Sequence, residues 1–151
     1  MSLLASIQAG AAAALSAHAF FSAEPAIPVL TEQLRDIESR IEAAVARMDP
    51  GICVIVVTAT GDVASPNVPG PELSQIRVVC RVVENTKVNK TAQPAALVAE
   101  AVASILHQHR IPGTPTTLLC EGITLADGDR HLAYDITFSA RGIIPAPARI
   151  A

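Results

Sequence analysis

The sequence predicts an α+β domain: a mainly antiparallel, mixed sheet with two principal helices on one face and a further helix at the N-terminus. Three observations predict it. Segments 31–48 and 93–109 each carry a single apolar stripe at i, i+3, i+4 spacing. Several runs of strand length are rich in β-branched residues or alternate apolar with polar. The order of elements, helix, short strand, helix, strand, strand, helix, strand, strand, lacks the regular alternation of a parallel sheet and ends on a hairpin signal. No internal repeat or linker is visible, so residues 1–151 read as one domain, with 64–72 an extended loop and 143–151 a Pro-rich C-terminal arm.

Residues 3–17 place Leu3, Leu4, Ile7, Ala11, Ala14 and Leu15 near helical spacing. Phe20 and Phe21 read as the start of an extended segment, and Pro25 and Pro28 keep "AEPAIPVL" out of a helix, as an edge strand or a loop. Thr31 suits an N-cap, with Glu32 and Asp36 at the positive end of a helix to about Met48. Its stripe is Leu34, Ile37, Ile41, Ala44, Val45 and Met48, and Asp49-Pro50-Gly51 stops it. "ICVIVVTAT" (52–60) is a nearly continuous β-branched run and reads as a central strand buried on both faces. In the strand 74–84, Ile76, Val78, Cys80 and Val82 face one way, and Gln75, Arg77, Val79, Arg81 and Val83 the other. Pro94 suits a first helical turn, and Leu97, Val98, Ala101, Val102, Ile105 and Leu106 form the buried face of the helix that follows. Strands 116–125 and 130–142 flank "ADGDR", whose Asp-Gly is a hairpin turn signal.

Composition excludes several classes. Half of the residues are hydrophobic, yet 3% are aromatic and none is Trp, so the core is built from Ala, Val, Ile and Leu. The net charge of −3 and the lack of a basic stripe argue against nucleic-acid recognition. Cys53, Cys80 and Cys120 are widely spaced, sit in strands, and read as reduced core thiols rather than zinc ligands. The N-terminal 20 residues are apolar, but no Lys or Arg precedes Arg35, which favours an Ala-rich helix over a signal peptide. Gln8, Ser16 and His18 argue against a membrane span.

No constellation of residues predicts catalysis, a cofactor or a metal. His107 and His109 lie two apart on a helix, about 200° apart in direction, and cannot share an ion. Asp127 and Asp129 lack the remaining ligands of a calcium loop and read as a turn. Ser104 with His107 is ordinary helix-surface spacing, and Gly61, Gly70 and Gly113 are isolated turn residues rather than a phosphate loop. Arg77 and Arg81 share one strand face. They read either as a solvated face paired with Asp135 or Glu121, or as a charged interface for another subunit. The polar knot after that strand, Glu84, Asn85, Asn89 and Lys90, reads as a structural corner, since Asn side chains satisfy local backbone groups.

"VVCRVVENTKVNKT" followed by "ALVAEAVASILHQHR" resembles a group of phage and prophage tail-region proteins, in which a strand ends in a Glu-Asn-x-x-hydrophobic-Asn pattern, here Glu84 to Asn89. Those proteins often carry Pro where Thr86 stands and Arg where Lys90 stands, and this chain departs at both. "FFSAEPAIPVLTE", "GICVIVVTATG" and "LAYDITFSARGI" are similar to other parts of the same proteins. The element order resembles that of the tail terminator and tail completion proteins of long-tailed phages. The resemblance implies a structural protein with no catalysis and no cofactor, forming a ring, commonly of six subunits, at the head-proximal end of the tail tube. Its partners would be its own copies, tail-tube proteins and head-completion proteins. Its location would be the bacterial cytoplasm during assembly and the virion tail afterwards. A small intracellular α+β ligand-binding or regulatory domain is the alternative class, and a small enzyme is a third.

Overall fold

The structure is a computed structural model that describes residues 3–31, 41, 51–63, 72–87, 89, 92–114, 116–126 and 131–143. Helix α1 (Leu3–Ala17) and the short helix α2 (Ala19–Ser22) precede strands β1 (Val29–Thr31), β2 (Ile52–Val63) and β3 (Glu72–Glu84). Helix α3 (Ala95–Leu106) and strands β4 (Leu119–Ala126) and β5 (Leu132–Ile143) follow. The five strands form one sheet in the order β1-β2-β3-β5-β4. β1 runs parallel to β2, with Val29 opposite Val54, and all other pairs are antiparallel. The α+β architecture with a mixed, mainly antiparallel sheet is the one the sequence predicts.

Alternation decides which side of the sheet is buried. Ile52, Val54 and Val56 of β2, Ile76, Val78, Cys80 and Val82 of β3, and Ile136, Phe138 and Ala140 of β5 share one face and are buried. Helices α1 and α3 cover that face with Leu3, Ile7, Ala11 and Leu15 from one and Ala95, Val98, Ala99, Val102 and Leu106 from the other. Each such Leu, Ile or Val contributes about 1.5–3 kcal/mol by leaving water, so aliphatic side chains hold this core. Phe21 and Phe138 are its large aromatics.

Several local expectations change. Phe20 and Phe21 are helical rather than extended, because His18 caps α2: its Nδ1 accepts the Phe20 N–H at 3.2 Å, and the two rings meet edge to face with centroids 5.1 Å apart. Thr31 is the last residue of β1, and the first turn of the helix it is expected to cap lies outside the described residues. Pro94 is the N-cap of α3, with extended φ −70° and ψ 156°, not a first-turn residue. Leu97 is 41% exposed and lies outside the buried stripe, which runs through Ala95, Val98, Ala99, Val102 and Leu106.

The helix expected over 31–48 lies outside the described residues except for Thr31 and Ile41, and so do Leu34, Ile37 and Val45. Ile41 is helical and packs against Cys53, as Ile55 and Val83 do. Those residues alternate with Ile52, Val54 and Val82, so Ile41 sits on the sheet face opposite α1 and α3, not on the shared face expected for it. The parallel β1–β2 pair requires a crossover connection, and Ile41 belongs to the stretch of chain between the two strands. Among the described residues, α1 and α3 are the helices that share a face.

Close packing at two glycines locks the layers together. A Cβ on Gly10 of α1 would stand 2.7 Å from Ile111 Cγ2, and one on Gly142 of β5 would stand 2.8 Å from Leu3 Cδ2. The residues after α3 turn back as a small hairpin: Gln108 N–H donates to Leu118 O (2.7 Å), Leu118 N–H to His109 O (2.9 Å) and Ile111 N–H to Thr116 O (2.8 Å). Thr116 to Leu118, expected as strand, belong to this hairpin, and β4 begins at Leu119.

Candidate functional site

Among the described residues, two places concentrate polar and exposed groups: the corner between β3 and α3, and the outer edge of β4, which no other described strand pairs. The corner is built on Glu84, the last residue of β3. Glu84 follows the buried face of Val82 and is 5% exposed, beneath the first turn of α3. Its Oε1 accepts the Ala95 N–H at 3.1 Å, one of the amides that a helix N-terminus leaves without an internal partner. Its Oε2 accepts Asn89 Nδ2 at 2.6 Å. Asn89 continues the network, donating to Gln93 O at 3.1 Å and accepting the Ala92 N–H at 3.0 Å. Asn85 closes the turn itself: its Oδ1 accepts the Lys87 N–H at 3.1 Å, its carbonyl accepts the Asn89 N–H at 2.9 Å, and its own N–H donates to Gly51 O at 2.8 Å. Pro94 offers no side chain for capping, so the carboxylate of Glu84 serves from eleven residues away, where the helix dipole also favours a negative charge. Lys90 lies outside the described residues.

Arg77 and Arg81 lie on the sheet face opposite α1 and α3. They are not brought together with the corner. Arg81 stands directly opposite Asp135 and forms a two-pronged ion pair, Nε to Oδ1 at 2.8 Å and Nη2 to Oδ2 at 3.0 Å. This bond raises the guanidinium pKa further above its ordinary value. At 51% exposure for Arg81, the pair is worth no more than about 1 kcal/mol. Arg77 is exposed, opposite Ser139, and among the described residues no ion pair holds it.

The three cysteines are free thiols. Burial pushes Cys53 and Cys80 up to about 12, with the nearby Cys120 adding a little at Cys80, and so keeps both protonated and unreactive. His107 is bound locally: its Nδ1 accepts the Cys120 N–H at 3.0 Å. His109 does not join it. Among the described residues no cluster of His, Cys, Asp or Glu could hold a metal ion, and no helix is long and apolar enough to cross a membrane.

The β4 edge is the feature that sequence reading missed. Of the two edge strands, β1 has three residues and β4 has eight. β4 carries no Pro or Lys to block pairing, and Leu119, Ile123 and Leu125 are 48%, 40% and 64% exposed. The alternation of "LCEGITLA" resembles that of any half-buried strand, and only the sheet order places it at a border.

No family model and no curated protein sequence matches the chain. Solved structures do share its fold. One is a protein of the virion of a native gene transfer agent particle, 15% identical, with 94% of this chain and 97% of that chain covered and a TM-score of 0.56. Another solved chain, also 15% identical, covers 96% of this chain and 97% of its own length with a TM-score of 0.53. At that identity the likeness shows the fold.

Proposed function

We propose that this chain is a structural subunit of a phage-like particle that assembles into a ring at the end of the tail tube, where it stops tube growth and offers a joining surface for the head. The observation that carries the reading is the likeness, over nearly the full length of both chains, to a protein of a gene transfer agent virion. The Glu84-to-Asn89 pattern, which resembles that of tail-region proteins, points to the same class. So do the two groups of exposed residues, Arg77 with Arg81 and the β4 edge, which suit contact between copies rather than a pocket. In this reading the corner acts mechanically, setting the angle between a long strand and its helix. A head-to-tail contact between copies closes into a ring when the rotation between neighbours divides a full turn. The chain carries no catalysis and uses no cofactor; its partners are its own copies, the tail tube and the head-completion proteins, in the bacterial cytoplasm and then in the particle. Native mass spectrometry over a concentration series, with negative-stain microscopy, tests this. A closed ring of one subunit number, alone or on added cognate tail tubes, is the expected result. A two-fold dimer at every concentration, with no ring on tail tubes, contradicts it.

A further inference from the structure

We infer that the free edge of β4 is the docking site for the C-terminal segment Ile144–Ala151 of a neighbouring copy of this chain, added as a sixth strand. The inference rests on self-association as proposed above and names the contact that makes it.

The edge is open where the fold stops closing it. Leu118 and Cys120 both turn their N–H groups away from β5, and the segment after α3 meets them: Leu118 bonds His109 O, and Cys120 bonds the His107 ring. Between Glu121 and Ala126, no backbone group of another described segment bonds the outer side of β4. A register shift between Cys120 and Gly122 brings Ile123 and Leu125 opposite Ile136 and Tyr134, on the side of the sheet that carries α3, yet they remain exposed. An edge that is long, apolar and without Pro or Lys is a template for another strand.

The sequence "IPAPARIA" (144–151) fits that edge chemically. In an extended chain, N–H groups alternate between the two sides, so Pro145 and Pro147 remove two of the donors on the side they share with Arg149 and Ala151, and Ile144, Ala146, Ala148 and Ile150 all donate on the other. Such a segment can add to an existing edge by its complete side and then present an edge less able to extend the sheet. Arg149 is the single charge of the segment and Glu121 the single charge of β4, and the signs are opposite.

The length of the segment assigns it to a neighbour. β5 ends at Ile143, while the open part of β4 begins at Gly122, opposite Thr137. Reaching its own free edge requires about 20 Å back along the sheet and about 10 Å across β4, and the 107–118 hairpin stands on the route. The eight residues span at most about 28 Å, so they are spent before covering Gly122 to Ala126. A second copy has no such constraint, and an arm passed from each subunit to the next is a head-to-tail contact that closes a ring.

The test compares the full chain with one ending at Ile143, both checked for folding by far-ultraviolet circular dichroism, by native mass spectrometry and by hydrogen exchange. The truncated chain should need at least tenfold higher concentration to assemble, and amides 121–126 should exchange more slowly in the assembled full chain than in the truncated one. Ala148→Pro, which removes a donor on the bonding side, should weaken assembly similarly, while Pro147→Ala should leave it unchanged. Assembly of the truncated chain at the same concentration, with equal exchange at 121–126, overturns the inference and leaves the ring reading standing. If the full chain forms no ring even on tail tubes, the ring reading falls. The edge contact is then decided by a labelled synthetic peptide of residues 144–151: saturable binding to the truncated chain supports it, and no anisotropy change at millimolar truncated chain overturns it.

Discussion

Replacing Glu84 with Gln keeps the shape of the corner and removes one acceptor from a place that needs two. The carboxylate takes the Ala95 N–H on one oxygen and Asn89 Nδ2 on the other, at 3.1 and 2.6 Å. An amide turned one way points a donor at Ala95 and leaves that helix amide without a partner. Turned the other way, it sets two NH2 groups against each other, and rotating Asn89 to relieve them breaks its bonds to Ala92 and Gln93. One hydrogen bond to a charged, buried group is worth about 1.5–3 kcal/mol, and the loss of a negative charge at a helix N-terminus costs about 0.3–1 kcal/mol. Glu84→Gln should therefore destabilise the chain by about 2–4 kcal/mol, which for this length lowers the melting temperature by about 4–16 °C. Urea unfolding of dilute protein, followed by far-ultraviolet circular dichroism, should show the midpoint falling by about 1 M or more at unchanged slope. A Gln variant within about 0.5 kcal/mol of the parent, an effect no larger than that of an ordinary surface substitution, would refute the reasoning.

Three further outcomes follow from the packing and the charges. Gly10→Val drives a side chain into Ile111, and the overpacking should cost about 1–3 kcal/mol in the same unfolding assay despite better helix propensity; a more stable variant contradicts the contact. Cys53 and Cys80 ionise near 9 when unfolded and near 12 when folded, so their contribution to stability is complete below pH 9 and fades as the pH rises toward 12. The unfolding free energy from urea titrations should fall above pH 9, by up to about 2.7 kcal/mol per pH unit for the two thiols, and Cys80→Ala should roughly halve that slope. Glu in place of both Arg77 and Arg81 sets a like charge opposite Asp135, which costs about 1 kcal/mol or less, while ring assembly by native mass spectrometry should need at least tenfold more protein; unchanged assembly returns both arginines to a solvated face.

How much of this was legible depended on the range over which each residue acts. The strands were readable because burial follows a period of two: Ile76, Val78, Cys80 and Val82 announce their face without reference to any neighbour. α1 was readable for the same local reason, at a period near four. Leu97 was misplaced because its stripe borders the buried one, and only the seating of α3 on β3, β5 and β4 separates it from Val98. Phe20 and Phe21 turned on a single cap from His18, which apolar patterning does not register. The face occupied by Ile41 is set by its packing on Cys53, a contact between segments twelve residues apart that its own apolar stripe does not reveal. At the corner, the residue types signalled a polar turn, but the use of Glu84 by Ala95 spans eleven positions and replaces a cap that Pro94 lacks. The β4 edge is a property of strand order, which no window of residues contains.

The most direct measurement is a cryo-electron microscopy reconstruction of the tail of particles from cells carrying this chain, paired with particles from cells lacking it. The account predicts a ring of this fold at one end of the tail tube in the first sample, and tails of uncontrolled length without heads in the second. Tails of normal length joined to heads in the absence of the chain, or density for it nowhere in the particle, would contradict the central claim.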